Sequence, residues 1–315
     1  MKRKPVIAIC YDFDGTLSPG NMQEYGFFDG LEPKERKTFW AESKQMAKDN
    51  HADGILMYMN LMLRKAERDK RLKTTKSAFH AYGKNIELYQ GVDTWFRRID
   101  SYGKLSGVKI EHYIVSSGLK EMIEGTKIAR CFTAIYACSF LYDNNDVAVW
   151  PALAINYTTK TQFLFRINKG IKDVSDDGAI NKYTPPAERP VPFSRMLYIG
   201  DGETDIPCMK LVKEQGGYSI AVYDPKKPAK KRVSENLKHE NRVNFCIPAD
   251  YSEGSKMETM VKLIIDKMSC EYKMQIEEKR IYRKEERTSE DPKPDARMTI
   301  EDETSSVECR GGASK

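Results

Sequence analysis

Residues 6–16 read Val-Ile-Ala-Ile-Cys-Tyr-Asp-Phe-Asp-Gly-Thr, an apolar run followed by two carboxylates and a glycine. The run from Val6 to Cys10 lacks the polar alternation of a half-exposed strand and therefore predicts a short, buried strand. Asp12 follows the carboxyl end of that strand, where open α/β sheets bind their ligands. The two carboxylates suit different tasks, since Asp12 can attack a phosphorus while Asp14 transfers protons. An acidic turn that ends a strand has the same composition, so other segments must decide between the two interpretations.

The chain after Gly91 alternates between helices and strands. We predict helices over 93–102 and from about residue 159, a strand that ends at residue 115, strands over 134–141, 196–199, 219–222 and 243–247, and a hairpin through 147–155. Strands separated by helices indicate a parallel, doubly wound sheet, so the predicted fold class is α/β.

Residues 18–90 have a different sequence pattern, with long charged helical stretches and no clear strand. Ile55, Tyr58, Met59, Met62 and Leu63 recur at helical spacing, which predicts one buried face. The dense lysines and arginines here are interpreted as solvated helix faces with acidic partners, although a basic surface would also attract phosphorylated substrates. This region is predicted to be a separate helical insert.

Small polar residues follow the predicted strand that ends at Val115, namely Ser116, Ser117 and Gly118. A hydroxyl and helix-start amides at such a position can bind phosphoryl oxygens. A serine that caps a helix has the same local sequence, so this segment alone does not decide.

A lysine is expected near the acidic residues, because an ammonium group must offset the charge of a carboxylate nucleophile beside a phosphate. Lys160 lies near the start of a predicted apolar helix and Lys169 near its other end. The local sequence leaves the choice between them open. Lys160 is favoured by its order among the other motifs.

The predicted strand over 196–199 is followed by Gly200-Asp201-Gly202-Glu203-Thr204-Asp205. Magnesium prefers a few carboxylates together with water and phosphate oxygens, and Asp201 and Asp205 can join Asp12 in supplying them. A calcium loop is excluded because the acidic residues do not continue at alternate positions to a terminal glutamate.

The order Asp-x-Asp-Gly-Thr, strand-Ser, Lys, strand-Gly-Asp-x-x-x-Asp resembles the haloacid dehalogenase (HAD) superfamily, and the resemblance covers roughly residues 4–250. It implies a Rossmann-like core and an aspartyl-phosphate intermediate. It implies that Asp12 is the nucleophile and a Mg²⁺ ligand, and that Asp14 is the general acid/base, with a backbone carbonyl that also binds the metal. It further implies that Ser116, with Ser117 and Gly118, binds the phosphate and that Lys160 neutralises its charge. Asp201 and Asp205 would bind the metal.

Asp14 narrows the chemistry further, because members of this superfamily that cleave carbon–halogen bonds generally lack an aspartate there. The resemblance therefore implies a phosphatase or phosphotransferase. The insert after Thr16 is similar in layout to the phosphoserine-phosphatase branch, with a cap of the first type. Two positions depart from that branch, since Glu24 comes a few residues late and Thr204 replaces the usual asparagine.

The predicted domains are a core of residues 1–17 and 91–270, a helical cap of residues 18–90, and a charged tail of residues 271–315. Ser255 and Glu258 have the spacing of a capping box before the last core helix. The tail has almost no aromatic residues, so we expect a helical extension that frays into disorder. Residues 173–192 are predicted to be a surface loop, with a position beside the cleft as the alternative.

Composition restricts the remaining function classes. The seven cysteines are odd in number and form no C-x-x-C pair, which indicates reduced thiols and a cytoplasmic location. No apolar run approaches the length of a membrane span, so no membrane partner is expected. The net charge of +6 is modest for this length, and no nucleic-acid partner is expected from it. The basic run from Lys226 to Arg232 resembles a targeting patch, but its position after a predicted strand favours an exposed loop.

The sequence thus predicts a Mg²⁺-dependent phosphomonoester hydrolase that acts on a small phosphorylated metabolite. A phosphotransferase of the same fold remains the nearest alternative. A non-catalytic binding protein with this fold is the alternative from a different class.

Overall fold

The computed structural model describes residues 4–288, and its centre is a seven-stranded sheet. The strands are β1 (Val6–Tyr11), β2 (Lys109–Leu119), β3 (Ala134–Tyr142), β4 (Ala148–Leu153), β5 (Met196–Gly200), β6 (Tyr218–Tyr223) and β7 (Phe245–Pro248), arranged in the order β4-β3-β2-β1-β5-β6-β7. All neighbouring strands are parallel except β3 and β4, which form a hairpin. The predicted α/β fold class is therefore confirmed. Of the hairpin predicted through 147–155, that range supplies only the strand β4, whose partner is β3.

Helices flank the sheet and connect its parallel strands. They are α1 (Pro33–Asp49), α2 (Gly54–Arg68), α3 (Lys76–Gly83), α4 (Val92–Leu105), α5 (Lys120–Glu124), α6 (Lys160–Lys169), α7 (Asp177–Asn181), α8 (Ile206–Glu214), α9 (Pro228–His239) and α10 (Lys256–Thr288). Within the described residues, the chain divides into two compact units, residues 4–272 and residues 273–288. The predicted disorder of the far tail concerns residues 289–315, which lie outside the described residues.

Strand β1 lies deep in the centre of the sheet. Ile7, Ala8, Ile9 and Cys10 are all almost completely inaccessible to solvent. The strand pairs with β2 on one side and β5 on the other, so both of its edges are covered by neighbouring strands. This burial explains why residues 6–10 are uniformly apolar.

A hydrogen-bonded chain of side chains anchors α4 to the sheet. Trp95 donates from Nε1 to the Tyr11 hydroxyl at 2.9 Å, and that hydroxyl lies 3.0 Å from His112 Nδ1. The second ring nitrogen of His112 is 3.2 Å from an oxygen of Asp100. These polar tips let large aromatic side chains fill the core without leaving unpaired groups.

Helices α1 to α3 lie within residues 18–90, where the sequence predicted helical stretches. Tyr58, Met59, Met62 and Leu63 are buried on α2 as predicted, whereas Ile55 of the same predicted face is only half-buried. Lys65 joins α2 to α1, because its ammonium lies 3.0 Å from Glu35 and 2.9 Å from Glu42. Other basic residues of the insert have acidic partners too, in agreement with the solvated-face interpretation.

Two elements differ from the sequence prediction. Strand β2 does not end at Val115 but continues to Leu119, since the pairing with β3 resumes at Leu119 and Cys138 after an irregularity. The basic run from Lys226 to Arg232 is not an exposed loop, because Pro228 starts helix α9 there. Proline is favoured at a first helical position, where its missing N–H forfeits no hydrogen bond.

The start of α10 depends on a buried carboxylate. Ser255 Oγ accepts from the Glu258 backbone N–H at 3.2 Å, while the Glu258 carboxylate accepts from the Gly254 N–H at 2.5 Å. The predicted capping box is thus half realised, with Gly254 replacing Ser255 as the donor. Arg98 of α4 donates from Nε to the same carboxylate at 2.9 Å. Burial alone would raise the pKa of Glu258, but these hydrogen bonds and the charges of Lys262 and Arg98 outweigh it and lower the pKa.

Two further sequence predictions concern the state of the cysteines and the absence of a membrane span. The six cysteines within the described residues carry free thiols. Between residues 4 and 288, no helix combines the length and apolar character needed to cross a membrane.

We expect Arg98→Met to lower the free energy of unfolding by about 3 kcal/mol, because it leaves the Glu258 carboxylate buried with weaker compensation. The loss should be complete above about pH 4.3, the ordinary pKa of a glutamate. It should shrink as the pH falls through the lowered folded-state pKa, since Glu258 is then neutral in both states. Urea unfolding of both proteins at several pH values measures this.

Arg97→Met is the matched control, because Arg97 is the neighbouring residue of α4 and is exposed. It should change the unfolding free energy by less than about 0.5 kcal/mol. An equal loss in the two variants would show that the Glu258 interaction is not responsible.

Candidate active site

Three carboxylates converge at the carboxyl ends of β1 and β5. Tyr11 and Ile199 are register partners, and the Asp12 N–H donates to the Ile199 carbonyl at 2.9 Å. Asp12 and Asp201 therefore leave adjacent strands at the same edge of the sheet. One oxygen from each of Asp12, Asp201 and Asp205 lies within 4.8 Å of the others.

Lys160 lies among these carboxylates and is completely buried. Its Nζ is 3.0 Å from Asp12 Oδ1 and 2.7 Å from Asp205 Oδ1. Lys169, the alternative left open by the sequence, instead donates to the Ile180 carbonyl at 2.5 Å and the Lys182 carbonyl at 2.7 Å. Only Lys160 of these two lysines reaches the acidic residues.

Asp205 has one oxygen engaged and one free. Its Oδ1 accepts from Lys160 and, at 2.7 Å, from the Tyr198 hydroxyl. Its Oδ2 is buried and has no hydrogen-bond partner among the described residues. A buried carboxylate oxygen without a donor is stabilised by a cation, so the donor set fits a hard divalent ion such as Mg²⁺.

Two glycines make room for this cluster. A Cβ on Gly15 would stand 2.2 Å from Asp201 Oδ2, and Gly15 also has a φ of +77°. A Cβ on Gly200 would stand 2.4 Å from Asp205 Oδ2. The glycines of both acidic motifs are therefore required by close approach of the carboxylates, and Gly15 also by its backbone conformation.

Asp14 faces the same cleft from the other end of its motif. Its Oδ1 accepts from the Met22 N–H at 3.0 Å, which fixes the side chain. A Cβ on Gly118 would lie 3.3 Å from Asp14 Oδ2, so the two motifs are in close contact. The Asp14 carboxylate is not one of the three that cluster, which leaves it available for a separate task.

Ser116, Ser117 and Gly118 also line the cleft, but they lie within β2 and not at a helix start. Ser116 Oγ accepts from the Gly118 N–H at 3.0 Å. Ser117 Oγ is buried without a partner among the described residues. The prediction that these residues lie at the start of a helix is therefore wrong, because α5 begins only at Lys120.

Burial and mutual repulsion both raise the pKa values of the acidic groups in the cleft. Burial, reinforced by the charge of Asp205, raises the pKa of Asp12 to about 7 although Lys160 opposes the shift. Burial also raises the pKa of Asp14 and of Asp201. For Lys160, burial lowers the pKa, but Asp12 and Asp205 outweigh it and leave the pKa raised. The pocket thus favours additional positive charge.

Sequence reasoning missed two lysines of this site. Lys230, on α9, lies 3.1 Å from Asp201 Oδ2. Lys227, at the start of α9, donates to the Pro19 carbonyl at 3.1 Å. The available signal was Pro228, which predicts a helix start and would have placed Lys227 and Lys230 on successive turns.

The cleft around these groups has a volume of about 800 Å³. Its lining combines the motifs with residues from the insert and from α9: Asp12, Asp14, Gly15, Pro19, Gly20, Asn21, Gln23, Glu24, Trp40, Ile55, Tyr58, Tyr89, Ser116, Ser117, Gly118, Asp201, Gly202, Thr204, Asp224, Lys227, Ala229, Lys230 and Val233. Residues 173–192, predicted as a surface loop, contribute none of these described lining residues, and they contain the short helix α7.

A parallel α/β sheet with a buried acidic and lysine cluster at its carboxyl edge is suited to bind a cation and a phosphoryl group, and comparison with known proteins identifies the family. Residues 9–210 match the family model of haloacid dehalogenase-like hydrolases. The chain therefore belongs to this hydrolase family, as its motifs predicted.

A curated protein of Borreliella burgdorferi, described as uncharacterized, is 29% identical over 282 residues, which cover 81% of this chain and 95% of that protein. A phosphoserine phosphatase solved as a phospho-aspartyl intermediate analogue has a TM-score of 0.50 and 16% identity, over 83% of this chain and 100% of its own. A probable phosphoserine phosphatase from Vibrio cholerae has a TM-score of 0.52 and 12% identity, over 85% of this chain and 67% of its own. These structures confirm the Rossmann-like fold and the predicted similarity in layout.

We expect Lys160→Met to lower the free energy of unfolding by about 3 kcal/mol in the presence of a chelator, because Asp12 and Asp205 lose the buried cation between them. Lys169→Met, at the other end of α6, removes two hydrogen bonds to backbone carbonyls and should lower it by about 1 kcal/mol. Denaturant unfolding of the three proteins compares the losses. A larger loss for Lys169→Met would contradict the arrangement described here.

Proposed function

We propose that this protein is a Mg²⁺-dependent phosphomonoester hydrolase that acts through an aspartyl-phosphate intermediate on a small phosphorylated metabolite. The observation that carries the proposal is the position of Asp12. Its carboxylate lies beside the buried Lys160 ammonium, in the same cleft as Asp14 and the Ser116 segment. Membership of the hydrolase family supports the same conclusion.

Asp12 is the proposed nucleophile. One of its carboxylate oxygens forms a bond to phosphorus while the bond from phosphorus to the leaving oxygen breaks. Asp14, whose raised pKa favours the protonated form, donates its proton to that oxygen. The leaving group departs as a neutral alcohol.

Water completes the reaction. The Asp14 carboxylate, now deprotonated, accepts a proton from a water molecule, and the resulting hydroxide attacks the phosphorus. The bond from phosphorus to the Asp12 oxygen breaks, which regenerates the Asp12 carboxylate and releases inorganic phosphate. Lys160 holds its positive charge beside Asp12 throughout and offsets charge on the transferring group.

Asp12, Asp201 and Asp205 would hold Mg²⁺, together with the Asp14 backbone carbonyl that the family resemblance adds. When bound, the ion would offset phosphoryl charge and bring the phosphate oxygens and Asp12 together. Asp205 Oδ2, buried without a partner among the described residues, supports this assignment.

Residues 18–90 are proposed to act as a cap, with residues 1–17 and 91–270 as the core. Trp40, Ile55 and Tyr58 of this insert line the cleft beside the acidic motifs. Substrate recognition would therefore depend on a segment separate from the chemistry. A cytoplasmic location remains part of the proposal and is supported by the free thiols of the described cysteines.

A phosphotransferase would use the same first step and transfer the phosphoryl group to an alcohol in place of water. Product analysis in the presence of added acceptor alcohols separates the two reactions. A non-catalytic binding protein would retain the fold without releasing phosphate.

The first test is release of phosphate from p-nitrophenyl phosphate with and without Mg²⁺. We expect Asp12→Asn to reduce kcat by at least about 10³-fold, because it removes the nucleophile. Asp93→Asn, an exposed carboxylate at the start of α4, is the matched control and should retain activity. Activity that survives Asp12→Asn would overturn the mechanism.

Metal binding can be tested without turnover. Millimolar Mg²⁺ should raise the Tm of the wild-type protein, because an ion that binds only the folded state stabilises it. Asp201→Asn should abolish most of that rise, whereas Asp49→Asn, an exposed residue at the end of α1, should leave it intact. A full response in Asp201→Asn would exclude this residue as a ligand.

A further inference from the structure

Two lysines divide the three clustered carboxylates between them. Lys160 bonds to Asp12 and Asp205. Asp201 instead pairs with Lys230 of α9, whose Nζ lies 3.1 Å from Asp201 Oδ2, and this is the only ion pair that Asp201 forms within residues 4–288. The Asp201 side chain is only 13% exposed, so the Lys230 ammonium is the main counter-charge of a largely buried carboxylate.

The two lysines differ in how easily they can leave the cluster. Lys160 is completely buried between two carboxylates, so its withdrawal would leave both charges without a partner. The side chain of Lys230 is 51% exposed. Rotation about its side-chain bonds would bring the ammonium into water, and hydration would offset the lost ion pair. Lys230 is therefore the exchangeable cation of the cluster.

The start of α9 holds Lys230 over the cleft. Lys227, which precedes the first helical residue Pro228, donates from Nζ to the Pro19 carbonyl at 3.1 Å. The Lys227 carbonyl accepts from the Lys230 N–H at 3.0 Å, and both lysines line the cleft. These bonds do not involve the Lys230 ammonium, so the ammonium can leave Asp201 without displacing the helix.

The carboxylate that pairs with Lys230 is also a proposed ligand of Mg²⁺. An ion bound to Asp201 and an ammonium on the same carboxylate would lie close together and repel each other in a largely buried site. Lys160 and one divalent ion together balance the charges of Asp12, Asp201 and Asp205, which leaves the Lys230 ammonium as surplus positive charge. Binding of the ion therefore favours withdrawal of Lys230.

We propose that Lys230 competes with Mg²⁺ for Asp201 and thereby lowers the affinity of the protein for the ion. This inference rests on the proposed Mg²⁺ site and adds a residue that regulates it. Because the two cations exclude each other, part of the free energy of Mg²⁺ binding is used to break the ion pair between Lys230 and Asp201. Removal of the ammonium should therefore destabilise the protein without Mg²⁺ and tighten the binding of Mg²⁺.

The direct test is isothermal titration of Mg²⁺ into the full-length protein after treatment with a chelator and its removal. Lys230→Met keeps a long apolar side chain and removes the ammonium. We expect its Kd for Mg²⁺ to be lower than the wild-type value by at least about threefold, because the competing cation is gone.

Lys231→Met is the matched control. Lys231 is the next residue of α9 and is exposed, and its ammonium lies 3.6 Å from Glu235. The control removes the same charge from the same helix, but it should change the Kd by less than about twofold because salt screens exposed charges. Equal tightening in the two variants would show that net charge, and not the contact with Asp201, is responsible.

Thermal unfolding separates competition from a merely structural ion pair. In the presence of a chelator, Lys230→Met should have a lower Tm than the wild-type protein, because Asp201 loses its counter-charge. In saturating Mg²⁺ this difference should disappear, since Lys230 would then no longer contact Asp201 in the wild-type protein. An ion pair that coexists with the metal would leave the difference unchanged.

The outcomes distinguish this inference from the function on which it rests. Wild-type protein that binds no Mg²⁺ would overturn both. Wild-type binding together with tightening of less than about threefold in Lys230→Met would overturn the role of Lys230 alone. A Tm difference that persists in saturating Mg²⁺ would do the same. If Lys230→Met fails to fold, Lys230→Gln is measured against the same thresholds.

Discussion

A buried ammonium group holds the acidic end of the sheet together. Lys160 is completely inaccessible to solvent and bonds to Asp12 at 3.0 Å and Asp205 at 2.7 Å. Without it, the buried carboxylates of Asp12 and Asp205 would repel one another. Gly200 and the Tyr198 hydroxyl position Asp205 beside this cation, and the register of β1 with β5 brings Asp12 to the same edge.

The remaining parts of the cleft divide the work around that cluster. The sheet edge supplies the charged groups, and Asp14 lies apart from the clustered carboxylates, in agreement with its proposed role in proton transfer. The insert supplies aromatic side chains to the lining of the cleft, where the proposed substrate would contact them. Under the proposed function, a change in the insert would therefore alter substrate selection without disturbing Asp12, Lys160 or Asp201.

The sequence predicted those parts that depend on local pattern. An apolar run followed by Asp-x-Asp-Gly-Thr located β1 and Asp12, and the ordered motifs brought Lys160 and Asp201 to the same edge. Lys230 was missed because its contact with Asp201 depends on the direction in which α9 leaves β6, which no local pattern encodes. The domain boundaries and site roles remain predictions.

The central position of β1 has a consequence for how the chain folds. Val6 pairs with Lys109, and Ala8 pairs with Met196, so both partners of the first strand lie far along the chain. Such distant pairing requires large loops to close and slows folding. During synthesis from the N-terminus, the apolar run over 6–10 is made long before β5, and even after β2 is made one edge of β1 remains unpaired and prone to aggregation until then. Asp12 can meet Asp201 and Asp205 only after that point, so no shorter nascent chain contains the complete acidic cluster.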